Sequence, residues 1–81
     1  MNLKTAKELF EEIVELCYNT SNNRLIDVVD DIYNDIIESD SISEIIVFLS
    51  EIHVVINEED IPPEEEDIIY EIQEKIESLS E

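Results

Sequence analysis

Residues 24–38 read RLIDVVDDIYNDIIE. Leu25, Ile26, Val29, Ile32, Tyr33, Ile36 and Ile37 recur at three- and four-residue intervals, while Asp27, Asp30, Asp31, Asn34, Asp35 and Glu38 fill the positions between them. A period near 3.6 puts the first set on one side of a helix and the second on the other. A strand would instead alternate at every second residue. The stretch is an amphipathic helix, and its apolar face needs other elements to bury it.

Both flanks supply them. Upstream, Thr5 and Glu8 have the spacing of a capping box, and Ala6, Leu9, Phe10, Ile13, Leu16 and Cys17 share a face, which predicts a helix over residues 5–18. The polar run NTSNN at 19–23 is a turn rich in capping side chains. Helix two is expected over 24–38. Ser41 and Glu44 give a second capping box for a helix over 42–56, apolar enough to be expected at the centre of a bundle. The β-branched run Val54-Val55-Ile56 leaves room for an extended end. After the acids at 58–60, Ile61-Pro62-Pro63 enforces extended geometry and then permits a first helical turn. A fourth helix over 63–79 follows, with Ile68, Ile69, Ile72, Ile76 and Leu79 on its inner face. The expected fold class is all-α, a small bundle of about four helices in a single helical domain, residues 1–81. The chain contains no glycine, so the usual glycine C-cap is unavailable to every helix.

Composition sets the partners. There are 23 Asp and Glu against 4 Lys and Arg, a formal net charge of -19 in 81 residues. Such a chain repels nucleic acid and anionic membranes, so direct nucleic-acid binding is not expected and a basic protein surface is. Hydrophobic residues make up 43%, too many for a disordered acidic tail, so a core should form. No apolar run reaches the length of a membrane span, and acids interrupt the first segment where a signal core would lie. The lone Cys17 excludes an internal disulfide and, set in an apolar stripe, reads as a reduced buried thiol, which places the chain in the cytoplasm as an expectation. Self-association into a dimer stays open.

Several chemistries are disfavoured by residue type. An EF-hand needs glycine in its loop, and a di-iron carboxylate bundle needs Glu-x-x-His pairs, whereas Ser50 stands three residues before the only histidine, His53. Zinc would have to be held by one Cys, one His and unpatterned carboxylates, so His53 is expected at the edge of the core. No metal, cofactor or catalytic residue is assigned: Cys17, Ser39, Ser41, Ser43 and His53 form no recognisable nucleophile, base and orienting group. The chain is therefore expected not to be an enzyme.

What remains to be explained is the placing of the acids. Glu8/Glu12, Glu11/Glu15, Asp27/Asp31, Asp31/Asp35 and Asp67/Glu71 are like-charge pairs at i,i+4, each costing about 0.2–0.5 kcal/mol in an isolated helix. Lys7 with Glu11 and Glu71 with Lys75 are expected to offset part of this. Glu38 and Asp40, and Glu58, Glu59 and Asp60, lie at helix C-termini, where the dipole prefers cations. An arrangement poor for stability points to binding. The expected partner-binding set is Glu8, Glu11, Glu12, Glu15, Asp27, Asp30, Asp31, Asp35, Glu38, Glu58, Glu59, Asp60, Glu64, Glu65, Asp67 and Glu71.

In charge and size the chain resembles small acidic nucleic-acid mimics, such as phage anti-restriction and anti-CRISPR proteins and the immunity proteins that block nuclease toxins. That resemblance implies a DNA-mimic inhibitor seated on the basic surface of a nuclease or another nucleic-acid-handling protein. A second, local pattern is similar to the acyl carrier protein signature: Tyr33, Ile37, Asp40, Ser41, Ile42 and Ile45, with residues 51–60 like the segment joining that family's second and third helices. It implies a phosphopantetheine arm on Ser41 and recognition through Asp40. The pattern departs from the family at Glu38 and Ser39, where glycine is usual, and over 24–38, helical where the family has a long loop. A third reading, a helical packing subunit of a larger complex, predicts that the apolar third segment is exposed in the isolated chain.

Overall fold

A computed structural model describes residues 2–80. The elements are α1 (Leu3–Asn19), α2 (Asn23–Glu38), α3 (Ile42–Glu58), a 3-10 turn (Pro63–Glu65) and α4 (Glu66–Ser80), with no strand among the described residues. Short connections join each helix to an antiparallel neighbour. α1 lies between α2 and α4, α3 completes the ring against the same two helices, and α1 and α3 touch across the diagonal. The radius of gyration is 11.8 Å, close to the ~11.7 Å expected for a compact chain of this length.

The amphipathic pattern of 24–38 is kept in the fold, with Tyr33, 36% exposed, as its exception. Leu25, Val29, Ile32 and Ile36 are buried, and every Asp and Glu of α2 is exposed. They meet Phe10, Ile13 and Cys17 from α1, Ile45, Leu49 and Ile52 from α3, and Ile72 and Ile76 from α4 in one continuous core. Each large side chain removed fully from water there contributes about 1.5–3 kcal/mol. Phe10 also meets the Tyr33 ring at 5.8 Å, which ties the middle of α1 to α2. No helix of the described residues is long and apolar enough to cross a membrane.

Three local expectations are corrected. α1 starts two residues earlier than Thr5: Asn2 is the N-cap, and its Oδ1 accepts from the Thr5 backbone N–H at 2.8 Å, so Thr5 and Glu8 form no box. Ser41 does occupy the N-cap of α3 but makes no side-chain cap bond. In place of the box, the buried Ser39 bridges Ser41 and Glu44: its single hydroxyl proton is shared between the Glu44 carboxylate at 2.9 Å and the Ser41 carbonyl at 3.0 Å, and its oxygen accepts from the Ser41 N–H at 3.2 Å. Val54-Val55-Ile56 stays helical to Glu58, because burial of Val55 and Ile56 outweighs the few tenths of a kcal/mol that β-branching costs a helix.

A larger correction concerns α3. The most apolar helix does not take the centre, since a ring of four helices has no central position and each member keeps an outer face. On α3 that face leaves Val47 66% and Val54 51% exposed. The missing glycine is handled without left-handed backbone: no described residue has positive φ. Thr20 and Ser39 instead leave α1 and α2 in extended geometry, and each returns its N–H to a carbonyl three residues back, Cys17 and Ile36 respectively. Thr20 adds its hydroxyl to the Cys17 carbonyl at 2.7 Å.

Candidate functional site: a divided acidic surface

Of the expected partner-binding acids, all are exposed except Glu59 and Glu65, which are half-buried. They do not gather on one face. Glu8, Glu11, Glu12 and Glu15 rise from α1, Asp27, Asp30, Asp31, Asp35 and Glu38 from α2, and Asp67 and Glu71 from α4, so carboxylates line three sides of the bundle. The fourth side, the outer face of α3, carries Glu44, Glu51 and Glu58 along one edge and no acid along its middle.

Five members of the set are engaged within the fold. Glu58 pairs with the Arg24 guanidinium at 2.7 Å, and Glu59 approaches it at 4.0 Å. Glu12 pairs with Lys75 at 3.3 Å, Asp30 accepts from the Tyr18 hydroxyl, and Glu65 accepts from the Ser21 backbone N–H and, at 3.1 Å, from its hydroxyl. These contacts fasten neighbouring helices. The other eleven, Glu8, Glu11, Glu15, Asp27, Asp31, Asp35, Glu38, Asp60, Glu64, Asp67 and Glu71, have no side-chain hydrogen bond or ion pair within the described residues. They are the part of the acidic surface that the fold does not engage.

Neither expected helix-surface pair forms. Lys7 does not turn to Glu11; its ammonium donates across the bundle to the Ile37 carbonyl at 2.6 Å, in the last turn of α2. Lys75 bonds Glu12 on α1 rather than Glu71. With Arg24 at the end of α3, two cations from neighbouring helices therefore stand where the acidic helix ends lacked them. The dipole penalty inferred from the sequence is thus partly relieved by tertiary placement. Three of the four Lys and Arg side chains are held this way; the fourth, Lys4, is exposed on α1 one turn before Glu8.

The remaining candidates sort by burial. Cys17 is fully buried, and burial pushes its thiol up to about 12, far from the reactive thiolate range. Tyr18 is exposed, and its hydroxyl is raised above the ordinary phenol value, chiefly by the hydrogen bond to Asp30. His53 is half-buried, as expected for the edge of the core. Among the described residues no group of three or more His, Cys, Asp and Glu could hold a metal ion. A surface groove of about 550 Å³ opens between the C-terminal end of α2 and the start of α3, with Val47 and Phe48 beside Asp35, Glu38, Asp40, Ser41 and Glu44. This groove is not legible in the sequence. Its only advance signal was the tight SDS connection at 39–41 between two amphipathic segments.

No family model matches the chain, and no curated protein or solved structure is detectably similar to it.

Proposed function

We propose that this chain is an acidic binding protein that occupies the basic nucleic-acid-binding surface of a nuclease or another nucleic-acid-handling protein and inhibits it as a polyanion mimic. The observation that carries the reading is charge density along the α1–α2 pair. Nine exposed carboxylates, four on α1 and five on α2, fall within the length of residues 27–38 and the antiparallel stretch of α1 beside it. At 1.5 Å per residue that length is about 17 Å, or about one carboxylate per 1.8 Å, and about one net charge per 2.4 Å once Lys7 at Ile37 and Lys75 on Glu12 are set against them. Duplex DNA carries about one per 1.7 Å, likewise spread around its circumference. A groove lined with lysine and arginine to hold a duplex therefore meets a comparable field here.

The test begins with capture of a partner and proceeds to competition. The captured protein should release labelled duplex or single-stranded nucleic acid as this chain is added, and its affinity for the chain should fall steeply with salt. Replacing Asp27, Asp31 and Asp35 with Lys should abolish the competition. Binding that ignores both salt and this reversal excludes polyanion mimicry.

One observation favours a second reading. Ser41 stands at the N-terminus of α3 beside the groove, and its hydroxyl makes no cap bond, so it is free for modification. This supports a carrier with phosphopantetheine on Ser41, for which incubation with a phosphopantetheinyl transferase and coenzyme A should add one arm that Ser41→Ala abolishes. α2 occupies the segment where that family has a long loop, so the first reading carries more.

A further inference from the structure

We propose that the outer face of α3 docks an amphipathic helix of a partner protein, one whose apolar seam is flanked by lysine and arginine. This goes beyond the polyanion reading and does not depend on it, since that reading rests on α1 and α2. Ser43, Val47, Ser50, Val54 and Asn57 recur at intervals of four, three, four and three, the spacing by which one helix presents a seam to another. None of the five is charged, in a chain of net charge -19. Val47 and Val54 are 66% and 51% exposed, and the half-buried Ile46 and Phe48 widen the seam on either side. The stripe is about 21 Å long at 1.5 Å per residue, the length of four helical turns of a partner.

Charge identifies the occupant. Glu44, Glu51 and Glu58 recur every seven residues along one edge of the stripe, the edge turned to α2, as the Glu44 bond to Ser39 and the Glu58 bond to Arg24 show. At the N-terminal end of the stripe the α2/α3 groove sets Val47 and Phe48 beneath Asp35, Glu38 and Glu44. A long basic side chain fits such a place, with its alkyl stem on the apolar floor and its charge among the carboxylates. α3 carries no Lys or Arg, so a second copy laid on the stripe would set rows of glutamate against its own net negative charge. A neutral helix would dehydrate the acidic edge without compensation. A cationic amphipathic helix satisfies seam and edge together.

The experiment uses the full chain and two labelled peptides of three heptads, followed by fluorescence anisotropy. One has Leu at a and d with Lys at e and g; the other keeps every Lys and replaces Leu with Ser. The Leu peptide should bind one to one and persist in about 0.5 M salt, where exposed charge pairs are largely screened. The double variant Val47→Ser, Val54→Ser should weaken it about tenfold or more and leave the Ser peptide unchanged. Circular dichroism of the variant should match the parent, because both valines lie on the surface. A Glu8→Gln, Glu11→Gln, Glu15→Gln variant, which weakens the polyanion surface on α1, should bind the Leu peptide like the parent, so the two readings fail separately. Equal binding of the two peptides, or a valine variant as tight as the parent, overturns the proposal. So does a dimer of the chain that the valine substitutions dissociate, because the stripe would then serve a second copy.

Discussion

Neutralising the acids of α2 should make this protein more stable, and the size of the gain follows from their spacing. Asp27, Asp31 and Asp35 are exposed, and none has a side-chain hydrogen bond or ion pair within the described residues. Replacing all three with Asn removes two like-charge pairs at i,i+4, Asp27/Asp31 and Asp31/Asp35, and two at i,i+3, Asp27/Asp30 and Asp35/Glu38. At about 0.2–0.5 kcal/mol for each pair the gain is about 1–2 kcal/mol. Asn is nearly isosteric with Asp and has a similar helix propensity, so little is lost in exchange. Asp31→Asn alone removes two of the four pairs and should give about half the effect. For a domain of this size 1 kcal/mol raises Tm by about 4–8 °C. Thermal melts followed by circular dichroism at about 10 mM salt should show the increase, and in about 1 M salt it should largely vanish, because the Debye length there is about 3 Å while the carboxylates lie about 5–6 Å apart. A fall in Tm on neutralisation at low salt would mean that these acids stabilise the helix, and would remove the reason for assigning them to a partner.

Two further outcomes test the corrections that the structure makes. Ser39→Ala should cost about 1–2 kcal/mol in urea melts, because it strands the Ser41 N–H and breaks the link to Glu44, whereas Ser41→Ala should change stability by less than about 0.5 kcal/mol; equal costs would restore Ser41 as the cap. The Cys17 thiol, ordinarily ionising at 9.0, is held protonated to about 12 in the folded chain. Its contribution is thus complete below pH 9 and is lost as pH rises toward 12, since only the unfolded chain ionises in that window. Between pH 9 and pH 10.5 the parent should lose about 1.6 kcal/mol more stability than Cys17→Ala, and parallel slopes would show that the thiol is not desolvated.

The sequence by itself determined the four helices, most of the residues that α1, α2 and α4 turn inward and the exposure of most of the acids, because a 3.6-residue period fixes which side chains share a face wherever polar and apolar residues separate. That separation is cleanest in α2, where Tyr33 alone of the apolar set is exposed. It also determined the formal net charge, which follows from residue types alone. Only the tertiary structure decided which cation meets which acid. Lys7 lies four residues from Glu11 yet reaches Ile37, and Lys75 bypasses Glu71 for Glu12, because long side chains take partners from adjacent helices that spacing along one helix cannot reveal. The same limit hid the exposed side of α3. Apolar residues occupy almost its whole circumference, so periodicity gives no direction, and only its place in the ring, with α2 on one side and α4 on the other, turned Val47 and Val54 outward.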